Sequence, residues 1–267
     1  MNMNDKPIAV VTGGAGGIGQ VICRLLAREG WRVVVCDINL EGAQAVAAEC
    51  GGHARRIDIT DADAVEATVE QIEQEIGPVV AVAHSAATFG ELKPVEEVSL
   101  ADWDRITSLV HRGTYVVSVA FAKRMARRGK GSFVALSSWN GVRSARMHAY
   151  CSSKAAVNLL MEGMAMEWGR SGLRFNAVSP GVVMTERVAE RIRTGTRYTM
   201  NPIEMTALGR LVTSEEVAEA VAFLMSDRAS GITGANLLVD TGTTISQAWG
   251  LFGGVPAPRP QDEGAPA

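Results

Sequence analysis

Short, wholly apolar runs alternate with longer stretches of helical period along most of the chain. The apolar runs of the first half are Ile8-Ala9-Val10-Val11, Arg32-Val33-Val34-Val35-Cys36 and Val79-Val80-Ala81-Val82-Ala83, which Pro78 sets off, and a further strand is predicted near Ala54 to Ile57, where Arg55 and Arg56 interrupt the pattern. Continuous rather than alternating hydrophobicity marks a strand covered on both faces, as in a parallel sheet. Between them, apolar positions recur at helical spacing through Val21, Ile22, Leu25 and Leu26, then around Glu41 to Glu49, then from Asp61 to about Ile76. The second half repeats the alternation. Helices are predicted over Asp102 to Lys123, from Tyr150 through Leu159, Leu160, Met164 and Met166 to Trp168, and after the capping box Thr213-Ser214-Glu215-Glu216. Strands are predicted at Ser132 to Leu136, Arg174 to Val178 and Asn236 to Val239. This order of elements predicts an α/β fold with a single doubly wound domain: a mainly parallel sheet of about seven strands, with helices on both faces.

Composition narrows the partners. The 267 residues are 47% hydrophobic, enough to bury one large core. Lys+Arg 26 against Asp+Glu 29 leaves a net charge of -3 without a long run of one sign, which argues against nucleic acid or a membrane surface as partner. No apolar run approaches the ~20 residues that span a bilayer. Cys23, Cys36, Cys50 and Cys151 lack CxxC or metal-ligand spacing, so no metal is expected. The start, Met1 to Lys6, is polar and unlike a signal peptide, and a cytoplasmic location is expected.

Chemistry enters at the first strand's end. Thr12-Gly13-Gly14-Ala15-Gly16-Gly17-Ile18-Gly19 reads as a turn between strand and helix, where backbone approaches a pyrophosphate closely and the helix start favours its charge. The next strand ends in Asp37, about twenty residues on, where a carboxylate accepts hydrogen bonds from a ribose diol. That carboxylate repels the extra phosphate of NADP, and the turn offers no Lys or Arg to hold it, so NAD is the expected cofactor. Asp58 follows the third strand, placed for an adenine contact or for a turn or cap role. Farther on, Tyr150 and Lys154 stand four apart at the start of a helix and share one face. A free tyrosine titrates near pH ~10, and a positive charge beside it favours phenolate, bringing it toward the range of a general acid/base.

The ordered set Thr12-Gly-x-x-x-Gly17-x-Gly19, Asp37, Asp58, Ser137-Ser138, Tyr150-x-x-x-Lys154 and Pro180-Gly181 resembles the short-chain dehydrogenase/reductase family, from about residue 7 to Gly242. The resemblance implies a Rossmann-type catalytic domain, over residues 1–254 here, that moves hydride between an alcohol or ketone and a nicotinamide. It implies that Ser138 positions the substrate oxygen, that Tyr150 transfers the proton, and that Lys154 assists Tyr150 and holds the nicotinamide ribose. Cofactor contacts are implied at Gly13, Gly17, Ile18, Gly19, Asp37, Asp58, Ile59, Ser85, Tyr150, Lys154, Pro180, Val183 and Thr185, the last two at the carboxamide. It also implies a homotetramer. Three departures stand out. His84-Ser85-Ala86-Ala87 replaces the usual Asn-Asn-Ala-Gly, and His111 stands where an asparagine is expected to hold a water beside the lysine. Ser138 precedes Tyr150 by twelve residues, one fewer than expected, which leaves Ser137 as its alternative. His111 is read either as a polar replacement holding the same water or as a member of the proton relay.

The stretch from about 184 to 209 is expected to form a substrate lid. Its Arg187, Arg191, Arg193 and Arg197, with Arg143, Arg146 and His148 nearby, suit a carboxylate, phosphate or sulfonate, while Glu186 and Glu190 lie within helical reach as alternative partners. Trp249, Leu251 and Phe252 are expected to dock on the body or on a neighbouring subunit. Residues 255–267 lack a core-forming pattern and are expected to be disordered. The function these readings predict is oxidation of a secondary alcohol, polyol or hydroxy acid with NAD, or the reverse ketone reduction. The alternative is a cofactor-binding sensor or scaffold without turnover.

Overall fold

The computed structural model describes residues 6–257 and Arg259, except residues 197 and 199 and the side chain of Arg187. Most of the tail expected to be disordered therefore lies outside the described residues. The strands form one seven-stranded sheet in the order β3-β2-β1-β4-β5-β6-β7, every neighbouring pair parallel. β1 is Ile8–Thr12, β2 Arg32–Asp37, β3 His53–Arg56, β4 Val79–His84, β5 Gly131–Leu136, β6 Leu173–Pro180 and β7 Asn236–Val239. The helices between them are α1 (Gly17–Arg28), α2 (Leu40–Cys50), α3 (Ala62–Glu75), α4 (Leu100–Thr107), α5 (Gly113–Arg127), α6 (His148–Trp168), α7 (Glu186–Thr194) and α8 (Ser214–Met225). Among the described residues, no helix is long and apolar enough to cross a membrane.

Every residue of β1 and β5 is buried, because helices cover both faces. One core holds Val10, Val82, Phe133 and Phe175 under α3, α5 and α6; the other holds Val11, Val35, Val134 and Val178 under α1, α2 and α8. Phe133 and Phe175 stack at 5.5 Å and are fully buried, so truncating either to alanine costs about 3–5 kcal/mol. β7 is the half-exposed edge. The local signals agree with the boundaries: Asn39 caps α2 by accepting from the Gly42 N–H, and the capping box of Thr213 and Glu216 opens α8. The strand order reverses between β1 and β4, and a crevice for ligands opens there beyond the carboxyl ends of the strands.

One expectation is corrected, and another is narrowed to a neighbouring subunit. The helix predicted from Asp102 to Lys123 begins at Leu100, ends at Arg127 and is broken by a wide π turn at Ser108–Arg112. Such turns insert a residue into the helical ladder and shift the phase of everything after it. Phe252, expected to dock, is 84% exposed in a short turn over Trp249–Phe252, as is most of Leu251, so neither packs on the body of this chain.

Candidate active site

The glycine turn separates packing demands from open space. Gly13 has φ +67°, and a Cβ there would lie 2.6 Å from the Ala86 nitrogen, because the turn is pressed against the exit of β4. A Cβ on Gly19 would lie within van der Waals overlap of the Gly13 carbonyl. Gly17 differs: it is exposed, its φ is ordinary, and the nearest atom to an added Cβ is Thr185 Cγ2 at 3.7 Å. The fold does not need glycine at this position, and the gap between the turn and Thr185 leaves room for a ligand. α1 starts here without a side-chain cap and without an acid in its first turn, so its N–H groups face outward for an anion. Asp37 closes the far side, its Oδ2 accepting from the Ala15 N–H and its Oδ1 from the Asn39 N–H, both at 3.0 Å. Ser85 donates its N–H to the Thr12 carbonyl at 3.0 Å, continuing the β1–β4 ladder over the turn, and Ile18 packs half-buried against the second core. These features fit a dinucleotide.

Two residues with predicted cofactor contacts also have partners within the chain. Asp58 Oδ1 accepts from the Thr60 N–H and hydroxyl at 3.0 and 2.7 Å, and those hydrogen bonds hold its carboxyl below its ordinary range. The turn role foreseen for it is therefore occupied. The Ile59 side chain is in the core, 2.8 Å from where a Cβ on Gly113 would sit, and this removes its side chain from the crevice.

β5 and α6 bring the three catalytic candidates together. Ser137 donates its hydroxyl to the Lys154 carbonyl at 3.1 Å, which commits it to holding α6. Ser138 starts the following turn and accepts from the Asn140 N–H at 3.1 Å, leaving its own proton for a substrate oxygen. Ser137 is thus committed to the α6 backbone, while the Ser138 hydroxyl has no acceptor among the described residues. Tyr150 is buried, with Lys154 Nζ 5.7 Å from its ring centroid. Lys154 is itself buried, donates to the Leu136 carbonyl at 2.5 Å, and is pushed by that burial down to about 7. The Phe89 ring, 56% exposed, leans on Tyr150 at 5.0 Å and 42°. Sequence reading missed Phe89, whose one signal was a large apolar residue in an otherwise small and polar loop.

Beyond β6, which ends at Pro180, Val183 bridges to Val212, and Thr185 caps α7 by accepting from the Val188 N–H at 3.3 Å. Thr185 thus sits across the gap from Gly17. On α7, Arg193 pairs with Glu190 at 2.6 Å on the exposed face, the alternative foreseen for it. Arg143 is exposed and donates to the Val142 carbonyl. Arg197 and the Arg187 side chain lie outside the described residues.

His111 lies on the π turn, whose segment packs against α6. It is exposed on the π turn, while its neighbour Val110 is fully buried in the core that also holds Tyr150. The buried histidine near the site is instead His84, whose Nδ1 lies 2.7 Å from the Thr12 hydroxyl.

A seven-stranded parallel sheet in this order, with Tyr150 and Lys154 buried beside its carboxyl edge, defines the short-chain class of Rossmann-type oxidoreductase folds. The chain belongs to the short-chain dehydrogenase/reductase family: a family model described as enoyl-(acyl carrier protein) reductase matches residues 13–244. It is 38% identical to D-threitol dehydrogenase of Mycolicibacterium smegmatis over 90% of this chain and 94% of that protein. A structure described as ribose-5-phosphate isomerase from Brucella melitensis 16M superposes with TM-score 0.91 at 38% identity, covering 95% of this chain and 98% of the other. NAD+-bound xylitol dehydrogenase superposes with TM-score 0.83 at 29% identity, covering 91% of this chain and all of the other. The alcohol and polyol dehydrogenases among these relatives make this chain an oxidoreductase of CH–OH groups.

Proposed function

We propose that the protein oxidises a neutral secondary alcohol of a polyol with NAD, or reduces the matching ketone with NADH, at a Ser138–Tyr150–Lys154 site. The observation that carries the reading is the convergence of a free-donor Ser138, a buried Tyr150 and a buried Lys154 beside the crevice that Asp37 and Gly17 line. NAD, when bound, accepts the hydride. Ser138 donates a hydrogen bond to the substrate oxygen and holds it toward Tyr150. The Tyr150 oxygen takes the hydroxyl proton in oxidation and returns it in reduction. The Lys154 ammonium, close to the Tyr150 ring in a dry pocket, favours the phenolate. Phe89 shields the Tyr150 ring and keeps water from the transfer. Gly17, the start of α1 and Thr185 would hold the cofactor's phosphates and nicotinamide end, and Asp37 its adenosine ribose.

A neutral substrate is favoured because Arg193, the lid arginine with a described partner, is already paired with Glu190. D-threitol and xylitol, named for two similar proteins, are polyols of this kind. NAD is favoured over NADP by Asp37. Arg56, its register partner on β3, stands ready to receive a phosphate once that carboxylate is gone. The test is NADH formation by purified protein across four- to six-carbon polyols, with NADP in parallel. Turnover is expected with NAD, and Asp37→Ser should shift the NAD-to-NADP ratio of kcat/KM by about tenfold or more toward NADP. Equal use of both cofactors by the unaltered protein would contradict the Asp37 assignment. Carboxylate-bearing alcohols turning over faster than polyols would contradict the neutral-substrate assignment.

A cytoplasmic homotetramer completes the proposal. Support for a second copy comes from Leu159 and Met166, 68% and 85% exposed on the outer face of α6.

A further inference from the structure

His84 ends β4, in the position where the crevice opens, and the roles above give it no task. Its ring is fully buried between β1 and β5, with Thr12 Oγ1 2.7 Å from Nδ1 and the Phe133 ring stacked at 6.1 Å. Nε2 is buried and has no hydrogen-bond partner among the described residues. A polar atom in that position loses its hydration with no return unless something at the site bonds to it.

Lys154 lies beside it. His84 stands in register with Ala135, and the next residue of β5, Leu136, supplies the carbonyl that accepts from Lys154 Nζ. Val10, Val82, Phe133 and Tyr150 share one core, so the His84 ring, stacked on Phe133, is on the sheet face that α6 covers. An ammonium has three donors. Leu136 takes one, and a ribose hydroxyl of the cofactor would take another. Among the described residues, the third has no protein acceptor. The charge of Lys154 is felt at His84: with burial, the larger cause, it pushes the imidazole down to about 3, so the ring is neutral in the working range. A neutral imidazole has one N–H and one lone pair. Next to a cation the lone pair belongs on the side facing it, which places the proton on Nδ1, donated to Thr12. Lys154 on α6 is the charged group acting on the ring; Thr12 on β1 and Phe133 on β5 carry none.

We propose that His84 is a positioning residue of this site: its Nε2 lone pair accepts a hydrogen bond from one buried water that the Lys154 ammonium holds in turn, and this link keeps that ammonium against the Tyr150 ring. The activity readouts rest on the dehydrogenase reading; the tautomer of His84 does not.

Asparagine places an amide where Nδ1 is, and glutamine places one where Nε2 is. His84→Asn therefore keeps the Thr12 bond and removes the acceptor toward Lys154, while His84→Gln does the reverse. In His84→Asn, kcat should fall about tenfold or more with KM little changed, and the pH profile of kcat should shift; His84→Gln should retain more activity. Nitrogen-15 spectra of histidine-labelled full-length protein, with His84 assigned by its loss in His84→Asn, should show Nδ1 protonated and Nε2 bare at neutral pH. An Nε2-protonated ring overturns the proposal whatever the activity. A His84→Asn variant with unchanged kcat and pH profile overturns it too, as do equal losses in both variants that track a lowered Tm. If the protein turned over no alcohol at all, the tautomer would still decide the role of His84.

Discussion

Burial drives the Lys154 ammonium down to about 7, so the folded chain gives up this proton more easily than the unfolded chain. Below pH ~7 both states hold it and the full penalty of burying charge stands; between pH ~7 and ~10.5 only the unfolded chain holds it, and stability rises with pH. Lys154→Met should therefore raise Tm at pH 7, by stabilisation on the order of 2–4 kcal/mol, with the gain fading toward pH 10 while turnover is lost. Thermal melts at the two pH values check this, and an equal gain at both would show that protonation is not its source. Tyr150, Lys154 and Asp37 were legible in the sequence because fixed spacing along one helix or at one strand end fixes their place. The π turn that carries His111 was not foreseen, because a single inserted residue leaves no mark in the apolar period. His84 was noted only as a departure from the usual asparagine, because its burial and its bond to Thr12 are made by strands far apart in the chain.

The turn between β1 and α1 tests the account one element at a time. Gly19→Ala places a methyl into the Gly13 carbonyl and should unfold the turn, lowering Tm sharply. Gly17→Ala meets nothing closer than 3.7 Å and should leave Tm within a few degrees, yet weaken NAD binding about tenfold or more by filling the ligand's path. Calorimetry of unfolding and of NAD binding separates the two, and a Gly17→Ala variant that binds NAD normally would place the pyrophosphate elsewhere. At this scale the strands were placed to within about a residue or two, most by continuous apolar runs, though β3, with Arg55 and Arg56, has none. The π turn stayed hidden, because an extra residue leaves the apolar pattern on either side intact. The sequence also left open the choice between Ser137 and Ser138, because the bond from the Ser137 hydroxyl to the α6 backbone, which favours Ser138, joins distant parts of the chain.

Over the whole molecule, alternating strands and helices foretold the doubly wound sheet, since buried parallel strands leave few other solutions. Surface use was less legible, because an apolar residue on a helix reads the same whether it meets the core or a second copy. Leu159 and Met166 prove exposed, and a tetramer built partly on that face should dissociate to smaller species in Leu159→Arg/Met166→Glu, as read by light scattering. A monomeric parent protein would contradict that assembly. The chemistry at the centre of the site is tested most directly by Tyr150→Phe, assayed for NADH formation from a polyol that the parent protein oxidises and for NADH binding by fluorescence. Proton transfer through Tyr150 predicts a loss of kcat of about 10²–10⁴-fold with NADH affinity nearly unchanged. Turnover by Tyr150→Phe at the parent rate would contradict it.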